Sequence, residues 1–78
     1  MISSRPTAPT IGATEFSRVS ELLYRVAGIQ LRPGKEGLVQ ARLTRRLHHL
    51  GLHGFGEYLD AVEADRTNTE LSQMVDLL

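Results

Sequence analysis

The chain contains no cysteine. Disulfides and thiolate metal sites are therefore excluded, and the lack of thiols fits a reducing, cytosolic setting. Aromatic residues make up only 5%, which is lean for a β-sandwich. No apolar run approaches the roughly 20 residues that cross a bilayer, and the N-terminus lacks the apolar stretch of a secretory signal. A Gly-rich phosphate loop, an H-E-x-x-H pair and a nucleophile set in a recognisable motif are all missing. Net charge is missing too: nine basic and nine acidic residues sum to zero. Taken alone, that total argues against nucleic acid or an anionic membrane as partner.

What is present is a chain of 78 residues and 8.7 kDa, one small domain at most. At this size folding removes only about 60% of the surface that the unfolded chain exposes. Apolar residues amount to 41%, enough for a helical core. The zero charge hides a pattern. Residues 1–31 carry a net +1, residues 32–56 a net +4, and residues 57–78 a net −5. All three histidines (His48, His49 and His53) lie in the basic middle.

Residues 1–13 are rich in Ser, Thr, Pro, Gly and Ala without a period, and read as a flexible, disordered tail. A first helix is expected from near Thr14, capped by that threonine. Phe16, Val19, Leu22, Leu23 and Val26 form its apolar stripe and Gly28 its end. Pro33 can open a second helix that runs to Leu50 and stops at Gly51, with Gly34 and Gly37 weakening its first turns. Phe55, Tyr58, Leu59 and Val62 mark a short third helix after a weak Gly54 cap. Thr67-Asn68-Thr69-Glu70 has the spacing of a capping box, with Leu71, Met74, Val75 and Leu78 as the stripe of a fourth helix. No stop signal follows, so the chain is expected to be one part of a longer protein. The fold class is all-α, a small bundle of four short helices over residues 14–78.

The second helix carries the chemistry. Val39, Leu43, Leu47 and Leu50 fall within about an 80° arc, the expected core face. Lys35, Arg42, Arg46 and His49 lie in a neighbouring arc of about 60°, flanked by Arg45, with Glu36 the helix's one acid. A solvated face is the ordinary explanation of a charged stripe, its methylenes covering apolar surface. Such faces usually mix signs for pairing between successive turns, and this one does not. Three arginine forks side by side suit carboxylates or phosphates. Part of the charge could also be neutralised internally by the acidic third and fourth helices. The histidines do not read as a metal site: Gly51 interrupts the helix between His49 and His53, and His48 and His49 point apart. They are read instead as exposed groups that add cationic character in acid solution. Serines and threonines sit in the tail or at caps, and Tyr24 and Tyr58 on or beside helical stripes, so no catalytic residue is assigned.

The run from Lys35 to Leu47 (K-x-x-x-V-x-x-R-L-x-R-R-L), then Leu50-Gly51-Leu52, then F-x-x-Y-L at Phe55 to Leu59, resembles the N-terminal domain of the chemotaxis receptor (CheR-type) methyltransferase family. Phe16, Leu22, Leu23 and Ala27-Gly28-Ile29-Gln30-Leu31 look like that family's first helix and the turn after it. The likeness covers residues 14–78. It implies the docking domain of an enzyme that moves a methyl group from S-adenosylmethionine to glutamates on the cytoplasmic helices of chemoreceptors. The cofactor would belong to a C-terminal methyltransferase domain absent from this chain, leaving the 78 residues inactive alone. By the same likeness the receptor-binding residues are Lys35, Arg42, Arg45 and Arg46, with His48 and His49 beside them. Family members often carry arginine at the position of His48, so that contact is weakened here or made dependent on pH. The expected partners are the acidic receptor helices and the parent's own methyltransferase domain, in a cytoplasmic monomer with no nucleic acid and no membrane insertion. The alternatives are a stand-alone regulatory interaction module, or a nucleic-acid-binding helical domain, which the acidic third and fourth helices disfavour.

Overall fold

Each of the four apolar stripes becomes a helix in the computed structural model, which describes residues 10–78. The helices are α1 (Ala13–Ala27), α2 (Glu36–Leu50), α3 (Phe55–Ala64) and α4 (Thr69–Leu77), and no strand is found among the described residues. Helix α1 packs on α3, α3 on α4, and α4 on α2. The core is built as the periodicity requires. Val19 and Leu23 of α1, Val39, Leu43 and Leu47 of α2, and Tyr58 and Leu59 of α3 are fully buried, with Met74 closing the core from α4. Two stripe residues fall outside it. Val26 is 51% exposed and Leu50 39% exposed, because each lies in the last turn of its helix, past the edge of the layer it faces.

Helix α3 starts at Phe55 after the Gly54 cap, as expected, but the other three helix starts depart from the expected ones. Helix α1 is capped by Gly12, not Thr14. Glu15 reaches back to accept the Gly12 N–H at 2.7 Å, half of a capping box. Most of the expected tail lies outside the described residues. Its last part is packed: Ile11 is buried, and its N–H donates to Gln40 Oε1 at 2.9 Å. Helix α2 begins at Glu36 rather than Pro33, because Gly34 adopts φ +94°, a left-handed conformation that no right-handed helix can contain. Gly34 therefore serves a turn instead of weakening a helix. The C-terminal end of α2 follows the sequence reading. Gly51 sits at φ +73°, and Leu52 N–H returns to the Leu47 carbonyl at 2.9 Å.

The expected capping box before α4 is not formed. Asn68 is the cap residue, in a left-handed conformation, and Glu70 turns its carboxylate away from it. Asp65 takes over the work. Its Oδ1 accepts from the Thr67 N–H at 3.0 Å and the Thr67 hydroxyl at 2.6 Å, and its Oδ2 from the Glu70 N–H at 2.9 Å. These donors hold the Asp65 carboxyl below its ordinary value, the Glu70 amide contributing most and the Thr67 hydroxyl next. Glu70 is released from capping because stronger donors on α2 and α3 claim it.

Candidate functional site: the outer face of helix two

Helix α2 lies against the core through Val39, Leu43 and Leu47 and turns its other side to solvent. Arg42, Arg45, His48 and His49 are all exposed there, and Lys35, expected within the helix, is exposed at its N-cap position just before Glu36. Glu36 lies nine residues from Arg45, about half a turn round the axis, so the helix's one acid sits on the far edge. Arg45 makes no ion pair among the described residues. Arg42 donates one long hydrogen bond, 3.3 Å, to the Leu77 carbonyl at the end of α4, which leaves most of its fork free. Arg45, Arg46 and His49 border an open depression with Gln73 and Leu77 of α4.

Arg46 stands apart from the rest of the stripe. Its Nε and Nη2 donate to Glu70 Oε2 and Oε1, both at 2.7 Å, a bidentate pair between α2 and α4. The two side chains are 22% and 12% exposed. The fully buried Tyr58 of α3 donates its hydroxyl to Glu70 Oε2 at 2.8 Å. One carboxylate thus ties three helices together. The Arg46 hydrogen bonds hold Glu70 below its ordinary value, against the opposing effect of partial burial. Tyr58 moves the other way: burial first, then its hydrogen bond to the Glu70 carboxylate, raise it well above the ordinary phenol value. Of the predicted binding residues, Arg46 is therefore engaged inside the domain, with Nη1 left over. The stripe also gave no sign of Tyr58. The signal was a buried phenol, which needs a polar partner, set against an acidic fourth helix.

Two further ion pairs join α1 to α3. Arg18 of α1 bridges Asp60 at 3.1 Å and Glu63 at 3.0 Å on α3. Among the described residues no three His, Asp or Glu side chains come close enough to hold a metal ion. No helix among them is long and apolar enough to cross a membrane.

The CheR methyltransferase all-alpha domain matches residues 14–78. The chain belongs to that family. It is similar to the chemotaxis protein methyltransferase of Klebsiella aerogenes, 43% identical over 63 residues, covering 81% of this chain and 22% of the relative. The enzyme of the same name from Escherichia coli is 41% identical over 63 residues, with the same coverage. Chemotaxis protein methyltransferase 2 of Pseudomonas aeruginosa is 40% identical over 57 residues, 73% of this chain and 20% of the relative. The chain thus spans about a fifth of the length of these relatives. The resemblance drawn from the K-x-x-x-V-x-x-R-L-x-R-R-L run is that of a true CheR all-alpha domain, and the basic helix is part of the matched region.

Proposed function

We propose that this CheR domain is the substrate-docking part of an S-adenosylmethionine-dependent protein-glutamate O-methyltransferase acting in bacterial chemotaxis or related signalling. The observation that carries the reading is the outer face of α2, where Lys35, Arg42 and Arg45 stand exposed together without an acidic neighbour on that face. A receptor helix rich in glutamate presents the complementary charge. Such complementarity speeds encounter and disfavours wrong partners. His48 and His49 extend the face at its C-terminal end, and Arg46 holds the face in place while offering Nη1 at its border. Methyl transfer turns a carboxylate into a neutral ester, so the product is attracted less and leaves more readily. The face therefore orients the substrate and takes no part in bond making.

The cofactor would sit elsewhere in the parent protein. An adenosyl group needs an enclosed apolar slot and hydroxyl acceptors. The depressions on the described surface, such as the one between Ser17, Tyr24 and Leu31, are open to solvent and do not provide that slot. On this reading the 78 residues have no turnover of their own, and the parent works in the cytoplasm as a monomer.

The test is receptor methylation by the full-length enzyme, followed by transfer of a labelled methyl group at low ionic strength. Replacing Arg42 and Arg45 together by Ala is expected to raise the KM for receptor and leave kcat near that of the wild type, with the defect shrinking as salt rises. Unchanged kinetics at low salt would overturn the docking role.

A further inference from the structure

Along the outer side of α2, Lys35, Leu38, Arg42, Arg45 and His49 follow one another at steps of three, four, three and four residues. That is the spacing of a helix-packing seam. At 1.5 Å per residue it runs for about 21 Å. The inner seam of the same helix, through Val39, Leu43 and Leu47, is already filled by the core. The outer one is open: all five of its residues are exposed.

Leu38 is the odd member. It is 41% exposed and does not belong to the apolar residues packed on the core. A Cβ built on the neighbouring Gly37 would meet nothing within 4 Å, so none of the described residues rises over that position. Single exposed leucines are common on protein surfaces and mean little by themselves. This one stands between Lys35 and Arg42 in a cationic seam, apart from the apolar residues packed on the core.

We infer that α2 receives a partner helix along this outer seam, with Leu38 as the apolar anchor that sets its register. The inference rests on the docking reading above and names what that reading leaves open. Exposed charges act over about 8 Å at physiological salt and tolerate a slip of the partner along the axis. An apolar knob fits one hole and does not. The partner's chemistry follows from the seam: an acidic helix of about four turns, with carboxylates at three- and four-residue spacing facing Lys35, Arg42 and Arg45, and a small or apolar residue opposite Leu38. A phosphate backbone would satisfy the cations and leave the leucine in water, so the acidic helix is favoured over nucleic acid.

The experiment uses the full-length protein and a soluble coiled-coil peptide as probe. The peptide carries glutamates on its outward face at the matching spacing, with alanine opposite Leu38. A second peptide has glutamine at every one of those glutamates. Binding is read by fluorescence anisotropy at low and high salt, and circular dichroism checks that each variant keeps its helix content. Leu38→Ala is expected to weaken binding about five-fold at both salt concentrations, the effect of losing part of one leucine's burial. Leu38→Met should restore it. Arg45→Ala should weaken binding at low salt and much less at high salt. If Leu38→Ala binds like the wild type while Arg45→Ala weakens, the anchor is refuted and the docking reading stands. If the glutamine peptide binds as tightly as the glutamate peptide, the docking reading fails and takes the anchor with it.

Discussion

Glu70→Ala is the substitution that most directly probes how α2 is held. It removes three hydrogen bonds at once: two from Arg46 at 2.7 Å and one from Tyr58 at 2.8 Å. Their costs differ. Tyr58 is fully buried, and its hydroxyl would lose the one partner it has among the described residues. A buried polar group left in that state costs about 1–3 kcal/mol. Arg46 is 22% exposed and can turn its fork to water, so the pair itself is closer to the ~0.5–1 kcal/mol of a surface bridge than to the value for a buried one. The better helix propensity of alanine returns a few tenths of a kcal/mol, roughly. The expected loss is about 2–3 kcal/mol, or a melting temperature lower by about 10–20 °C for a domain of this size. Far-UV circular dichroism melts and urea midpoints measure it.

The sharper test is the double-mutant cycle with Tyr58→Phe. In that background no hydroxyl is left to strand, so Glu70→Ala is expected to cost about 1 kcal/mol less than in the wild type. Two results would refute the reasoning: a Glu70→Ala cost below about 0.5 kcal/mol, the noise of a surface substitution, or the same cost in both backgrounds.

The other predictions concern the glycines, the pH response and the division of labour on α2. Gly34→Ala should destabilise by about 1 kcal/mol or more, because an L side chain is strained at its φ of +94°, while Gly37→Ala in open helical surface should stabilise by roughly 0.5–1 kcal/mol; urea midpoints separate the two. Glu70 and Asp65 titrate below their ordinary values of 4.5 and 3.8, so the stability they confer is complete above those values and is lost as pH falls through the lower folded ones. Melting temperature should accordingly fall as pH drops below about 4.5, and fall less in Glu70→Gln. At the alkaline end Tyr58 is raised above its ordinary 10.0, so its contribution is intact below that pH and is lost only above it. Arg45→Ala should leave the melting temperature within about 2 °C of wild type while Arg46→Ala lowers it several-fold more, a contrast that thermal melts of the two variants decide.

The helices were legible because each apolar stripe keeps a 3.6-residue period, and burial on one side is all that a short helix needs in order to be placed. Val39, Leu43 and Leu47 were readable as core for that reason. The starts were less so. A start depends on which of several polar groups wins a competition for a few N–H groups, and the winner is settled by tertiary neighbours. Glu70 had the spacing of a cap residue. It serves Arg46 and Tyr58 instead because a charged fork and a buried phenol bind a carboxylate more strongly than an amide exposed to water. Gly34 carried a similar ambiguity, since a glycine beside a proline suits a frayed helix start and a left-handed turn equally well. Most of the candidate site was legible, because exposure and charge sign need only the helical wheel. That Arg46 is tied down while Arg45 is free was not, since the two lie next to each other in sequence and differ only in which one faces α4.

The zero net charge acquires a physical meaning from these placements. Six of the nine carboxylates (Glu15, Glu57, Asp60, Glu63, Asp65 and Glu70) accept hydrogen bonds within the domain, at helix starts or from Arg18 and Arg46. The acids are largely structural. Among the described residues, Arg46 is the one cation of α2 matched to a carboxylate. A partner approaching α2 feels charges within about a Debye length of 8 Å, and over that range it meets Lys35, Arg42 and Arg45 rather than the carboxylates of α3 turned toward α1. Neutrality of the whole chain keeps it from attracting polyanions at long range, while the field close to α2 stays positive. On the docking role proposed above, a domain built this way would select acidic partners by contact with one helix, and that selectivity should weaken with salt even though these 78 residues carry no net charge.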